Sequence, residues 1–300
     1  MRFHPCYFSY SAGSNSRNPY GYRIVDETTN LRLDQLMELF PSVSQFLKQQ
    51  PLIVSAYPAT LGLTGITSLV DTYLHPPTFI RALRLAACES ASVLLAAQPL
   101  VGAELLLQHC KEKMEVPRQI LWAVGGYYFP LSLEKFIRKI LADKGCNITF
   151  LYSYGVAEIG HTCFAGISRL SCGEPFYQKV ATEVTAKIKE KELVLEAGNN
   201  RSVATGDHAQ IIQGGWVIKN NITRLDPAIR DELESWTATD WLRRTGNLQT
   251  TPEGKITYQL RERKPKKKSK NEIPYYSFWD ESDTYPTSKP CWGLTQEGNK

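Results

Sequence analysis

The chain has 300 residues, 42% of them hydrophobic and 22% charged, the proportions of an ordinary folded protein, which exclude a disordered or fibrous class. Its formal charge of +5 is concentrated in one place: between Arg261 and Lys270 seven basic residues stand against Glu262, a local +6 that leaves −1 for all the rest. The body has no charge excess with which to hold a polyanion, so nucleic acid is expected only through 261–270.

Seven cysteines, at Cys6, Cys88, Cys110, Cys146, Cys163, Cys172 and Cys291, form no CxxC pair and are odd in number. That is the usage of free thiols in a reducing compartment. No apolar stretch reaches signal-peptide or bilayer-spanning length, and a cytoplasmic protein without a membrane span is expected.

In chain order, a Ser/Gly/Asn-rich polar segment at 9–21 comes first, and residues 52–151 then alternate strand-like and helix-like runs. PLIVSAYPA reads as a buried strand, LTGITSLVDTYL and PTFIRALRLAACES carry helical spacing, and SVLLAAQP is a second strand before the helix LVGAELLLQHCKEKM. ILWAVGG, LSLEKFIRKILADKG and NITFLYSYG repeat strand, helix, strand, with Gly145 as a helix stop. After Cys172 the period changes to two, in TEVTAKIKEKELVLEA, HAQIIQGGWVIKN and GKITYQLRER, as in antiparallel hairpins. The expected fold is therefore α/β, a layered subdomain at 1–172, a small antiparallel barrel-like β subdomain at 173–263, and a basic, aromatic-containing tail at 264–300.

Four segments carry candidate chemistry. Ser11, Gly13, Ser14, Asn15 and Ser16, ahead of Pro19-Tyr20-Gly21, form a small-residue loop of the kind that lets backbone N–H groups approach phosphates. Gly125, Gly126 and Tyr127 follow a strand. Tyr154-Gly155-Val156-Ala157-Glu158 follows another, at the strand end where α/β sheets bind ligands, and Glu158 offers a hard oxygen donor. Trp241-Leu242-Arg243-Arg244-Thr245-Gly246-Asn247 is followed by Glu253-Gly254 and Arg261.

In this order and spacing the segments resemble the core motifs of the adenylate-forming superfamily, which includes acyl-CoA synthetases, peptide-synthetase adenylation domains and luciferase. The resemblance spans about residues 9 to 263 and departs from the family pattern at Tyr20 (lysine in relatives), Ala157 (threonine) and Asn247 (aspartate). It implies an ATP- and Mg²⁺-dependent ligase that activates a carboxylic acid, acyl or aryl, as an acyl-adenylate for transfer to CoA or another acceptor. By this resemblance Ser11 and Ser14 act on the phosphates together with Gly13, Asn15 and Ser16, and Glu158 holds magnesium. Gly125, Gly126, Tyr127, Tyr154 and Gly155 meet adenine, Ala157 stands at the α-phosphate, and Asn247 with Arg261 meets the ribose. Tyr57, Thr60, Gly160 and His161 line the acid pocket.

A second Thr-Gly-Asp, at Thr205-Gly206-Asp207, is read as a hairpin turn, because Trp241 and Arg261 flank the later copy at family-like distances. Relatives carry a further N-terminal subdomain and a small C-terminal domain with a catalytic lysine. A protein partner would then supply that lysine or cover the open face. The alternative is a catalytically impaired protein of the same fold that serves as a binding or scaffold subunit. No Gly-x-Ser-x-Gly elbow and no Walker-type Gly-Lys-Ser/Thr is present.

Overall fold

A computed structural model describes residues 7–10, 22–25, 33–56, 67–72, 74–112, 114–126, 128–156, 159, 161–198, 201–219, 226–250 and 256–263; at 7–10, 22–25, 161, 201, 246–250, 256–259 and 261 the description is of the backbone alone. The chain begins with a two-stranded ribbon, β1 (Tyr7–Tyr10) and β2 (Tyr22–Val25), then two short helices, α1 (Leu33–Leu39) and α2 (Pro41–Leu47). There follow β3 (Leu52–Ala56), β4 (Leu69–Asp71), α3 (Pro76–Cys88), β5 (Val93–Ala97), α4 (Pro99–Lys111), β6 (Gln119–Gly125), α5 (Leu131–Ala142) and β7 (Asn147–Val156). Six antiparallel strands come next: β8 (His161–Arg169), β9 (Pro175–Lys179), β10 (Thr185–Lys189), β11 (Glu192–Ala197), β12 (Arg201–Ile212) and β13 (Gly215–Lys219). The described chain closes with α6 (Pro227–Ser235), α7 (Ala238–Arg243) and a hairpin, β14 (Arg244–Thr250) with β15 (Ile256–Glu262).

Eleven strands form one sheet in the order β10-β11-β12-β13-β9-β8-β7-β6-β5-β3-β4. From β7 through β4 neighbouring strands run parallel, and from β7 to β10 they run antiparallel. The expected antiparallel strands are present, but they do not close as a barrel. These strands extend the α/β sheet through β9, which pairs with β8 on one side and, at Trp216 opposite Tyr177, with β13 on the other, and the sheet stays open. Alternation at period two gives the hairpins but not what their outer edge meets, and here β13 meets β9 instead of closing on β10.

Alternation also builds two cores. Val93, Leu95 and Ala97 of β5, Ile120, Trp122 and Val124 of β6, and Phe150, Tyr152 and Tyr154 of β7 face the layer of α3, α4 and α5. Leu94, Leu121 and Leu151 face the other way, onto Leu36, Phe40 and Val43 of α1, α2 and the turn between them. Every residue of β5 is buried, as a central parallel strand covered on both faces requires. Proline opens α2, α3, α4 and α6, where a missing N–H has no cost. Gly145, at φ +75°, closes α5, and the Cys146 amide turns back to the Leu141 carbonyl.

Two local expectations are corrected. LTGITSLVDTYL carries helical spacing, yet Leu69–Asp71 is the edge strand β4, paired parallel to β3. Pairing to an existing strand outweighs periodicity in so short a run. Thr205-Gly206-Asp207 is no hairpin turn either. It lies inside β12, where Leu193 alone opposes all three residues, between the pairs Glu192–His208 and Val194–Ala204. Gly206 takes φ +74° in this bulge, a conformation glycine adopts without strain.

Candidate functional site

The carboxyl ends of β6 and β7 lie side by side, Gly125 opposite Ser153. A Cβ on Gly125 would stand 2.5 Å from Ser153 Oγ and 2.6 Å from the Ser153 carbonyl oxygen, so the neighbouring strand by itself demands glycine there. Gly126 then turns the chain at φ +88° towards α5. Gly125, Gly126, Tyr154 and Gly155 are in this way brought to one end of the sheet.

Tyr154 points into the larger core and is only 4% exposed. Its ring meets Phe164 and Tyr177 edge-on at centroid separations of 6.0 and 6.4 Å. The phenol donates to Asp207 Oδ2 at 2.6 Å. Burial, and then the Asp207 carboxylate, push the Tyr154 hydroxyl well above its ordinary pKa, so it stays a donor. A base stacked on this ring would have to displace a neighbour.

The bulge of β12 supplies that carboxylate. Thr205 Oγ1 donates to the Leu193 carbonyl at 2.9 Å and accepts from the Asp207 amide at 3.1 Å, while the Gly206 amide donates to Glu192 Oε1 at 2.7 Å. These bonds fix a conformation that delivers Asp207, itself buried, to Tyr154. Sequence reasoning set Asp207 aside. The signal that would have found it was the intact Thr-Gly-Asp itself, since an aspartate presents two acceptor oxygens where Asn247 presents one.

Beside this site lies a buried ionic cluster that sequence reasoning also missed. Arg169 Nε donates to Glu134 Oε2 at 2.6 Å, Tyr152 donates to the same oxygen at 2.6 Å, and Arg138 holds Glu134 Oε1 at 2.9 Å. Arg169 reaches on to the Phe129 carbonyl at 3.0 Å, tying the end of β8 to the turn before α5.

The remaining expected site residues divide in two. Ser11, Gly13, Ser14, Asn15, Ser16, Tyr57, Thr60, Tyr127, Ala157, Glu158 and Gly160 lie outside the described residues, as does Tyr20. For His161, Asn247 and Arg261 only the backbone is described: His161 opposes Val156 across the β7–β8 hairpin, Asn247 opposes Gln259, and Arg261 opposes Thr245. The β14–β15 hairpin belongs to a separate two-stranded sheet, anchored where Arg263 pairs with Glu104 of α4 and where Trp241 Nε1 donates to Ser132 Oγ at 3.2 Å. Between α4, α5 and Trp241 lies a partly open cleft of about 20 Å³, room for about one water. Among the described residues no three His, Cys, Asp or Glu side chains gather as a metal site, the five described cysteines are free, and no helix is long and apolar enough to cross a membrane.

No family model and no curated protein matches this sequence. Solved structures similar in fold include an AMP-forming acyl-CoA synthetase/AMP-acid ligase II-like protein from Dyadobacter fermentans, 13% identical over 86% of this chain and 74% of that one, with a TM-score of 0.43. A fatty acyl-adenylate ligase from L. pneumophila, in complex with acyl adenylate and pyrophosphate, is 9% identical over 84% of this chain and 58% of its own, at a TM-score of 0.46. An anthranilate CoA ligase in complex with anthranoyl-AMP is 9% identical over 84% and 55%, at 0.45. The chain therefore spans little more than half the length of the last two. At these scores the likeness is one of fold outline, and the functional reading rests on this chain's own residues.

Proposed function

We propose that this chain binds an adenine nucleotide at the carboxyl ends of β6 and β7 and, as an adenylate-forming ligase, uses ATP to activate a small carboxylic acid, acyl or aryl, as its acyl-adenylate. The observation that carries the reading is the convergence of two sequence motifs 50 residues apart, Tyr154-Gly155 and Thr205-Gly206-Asp207, through the bond from the Tyr154 phenol to Asp207. Both groups are suited to sugar hydroxyls, the phenol as donor and the carboxylate as acceptor. Asp207 therefore replaces Asn247 as our candidate for the ribose contact. Glu158 is the candidate for magnesium, Ser11 to Ser16 for the phosphates, and Tyr57, Thr60, Gly160 and His161 for the acid. ATP would supply the leaving group, pyrophosphate. CoA is the proposed acceptor.

Acid-dependent ATP–pyrophosphate exchange across a panel of carboxylic acids tests this, with Glu158→Ala as the control expected to abolish it. Absence of exchange together with no ATP-induced rise in melting temperature sinks the nucleotide reading.

A second reading, nucleotide binding without turnover, is favoured by a specific observation. Ala157 has no hydroxyl with which to hold an α-phosphate in the reaction. A thermal shift with ATP but no exchange selects it.

A further inference from the structure

The segment from Tyr128 into α5, downstream of Gly125-Gly126 in the sequence, is gripped from a distance. Helix α5 begins after Pro130, a residue with no side-chain acceptor to cap it, so the first amides of the helix need a partner from elsewhere. Glu234, near the end of α6 and about a hundred residues downstream, provides it. Its Oε1 accepts from the Leu131 amide at 3.0 Å and its Oε2 from the Ser132 amide at 3.2 Å. The same Oε1 accepts from the Tyr128 hydroxyl. A carboxylate at this end also lies along the favourable direction of the helix dipole.

Around Glu234 the contacts all lead back to the turn. Arg230, one helical turn earlier, lies over the Tyr128 ring at 5.1 Å and pairs with Glu174 at 2.8 Å. Ser132 Oγ donates to the Leu233 carbonyl at 2.6 Å. On the core side Phe129 is packed between Trp122 and Phe150, and its carbonyl is held by Arg169. The peptide from Tyr128 to Ser132 is thus clamped between the core and α6, and Gly126 stands two residues before it in the sequence.

We infer that Glu234 is a positioning residue for nucleotide binding: by holding Tyr128 and the start of α5, it sets the conformation of the Gly125-Gly126 turn. This rests on the reading that adenine binds at that turn. Glu234 need not touch the nucleotide. Its effect passes through the backbone of 128–131, two residues from Gly126, and α6 thereby couples the chain around residue 234 to the end of the sheet.

The test is calorimetric titration of the full chain with Mg-ATP. Glu234→Ala should weaken binding about tenfold or more, and Glu234→Gln, which keeps one acceptor oxygen, should fall between it and the wild type. Tyr128→Phe should weaken binding less, and adding it to Glu234→Ala should change little further, because both remove the same contact. Leu83→Val loosens the core under α3, away from α6 and from that contact. It should lower the melting temperature and leave ATP affinity unchanged, which a purely structural role for Glu234 would not distinguish. If Glu234→Ala does not fold, Glu234→Gln and Tyr128→Phe carry the measurement. Wild-type binding with equal affinity in Glu234→Gln and Tyr128→Phe overturns the inference alone. A wild type that does not bind ATP overturns the nucleotide reading, and this inference with it.

Discussion

Gly125→Ala separates two reasons for the same glycine. By family resemblance the residue is small so that adenine can pass. In the structure, an added Cβ meets the Ser153 carbonyl oxygen at 2.6 Å, against an ordinary contact of at least 3.4 Å. The end of β7 would have to move by about 0.8 Å, the difference between those two distances. A shift of that size at the last pair of the β6–β7 ladder weakens one or two backbone bonds, at about 0.5–1.5 kcal/mol each, within the ~1–3 kcal/mol usual for overpacking. We expect a loss of about 2 kcal/mol without any ligand. In urea denaturation, with a slope of about 3 kcal/mol/M for a chain of this size, the midpoint should fall by about 0.5–1 M. Adding Ser153→Ala removes the Oγ contact at 2.5 Å but leaves the carbonyl, and it also removes the Ser153 bond to the Val124 carbonyl. The double variant should therefore recover little. An unchanged midpoint in Gly125→Ala, with ATP binding lost, would refute the strand-packing account and return the glycine to the ligand.

Three further outcomes follow from buried polar groups. Tyr154→Phe takes a donor from the buried Asp207 carboxylate and should cost about 1.5–3 kcal/mol, whereas Asp207→Asn, whose amide oxygen still accepts from the phenol, should cost less; equal urea midpoints for wild type and Tyr154→Phe would remove the bond from the account. Arg169→Met leaves Glu134 buried, but Arg138 still holds its other oxygen, so we expect about 3 kcal/mol, the low end for breaking a buried pair, and a loss below 1 kcal/mol would show the cluster to be dispensable. His109 is fully buried, with Nε2 against the Glu115 carbonyl at 2.8 Å and no partner for Nδ1 among the described residues, and burial holds its pKa below 6.5. The unfolded chain then takes up the proton first, so this contribution is complete above about pH 6.5 and is lost as pH falls below it. His109→Gln should flatten the dependence of the urea midpoint on pH in that acidic range, and an identical slope in the variant would contradict the assignment.

What the sequence by itself determined was whatever depends on neighbours along the chain. Alternation and helical spacing gave β3, β5, β6 and β7 with α3, α4 and α5 between the strands, because each of these elements buries one recognisable face and carries its own stop, as Gly145 does. The hairpins β10–β11 and β12–β13 were legible for the same reason. Tertiary structure alone decided the pairings between strands distant in the chain. Nothing in the run from Trp216 to Lys219 says that β13 meets β9 and leaves the sheet open, since strand edges present the same backbone groups to any partner. The short helices α6 and α7 went unread because most of what they bury is set by Leu233, Trp236 and Trp241 against the rest of the fold, not by an apolar stripe of their own. At the candidate site the sequence named Tyr154 and Gly125, and the fold chose their company. Asp207 arrives on a bulge of β12 and Glu234 from the end of α6, contacts across 53 and about 100 residues that only the folded chain brings within hydrogen-bonding distance.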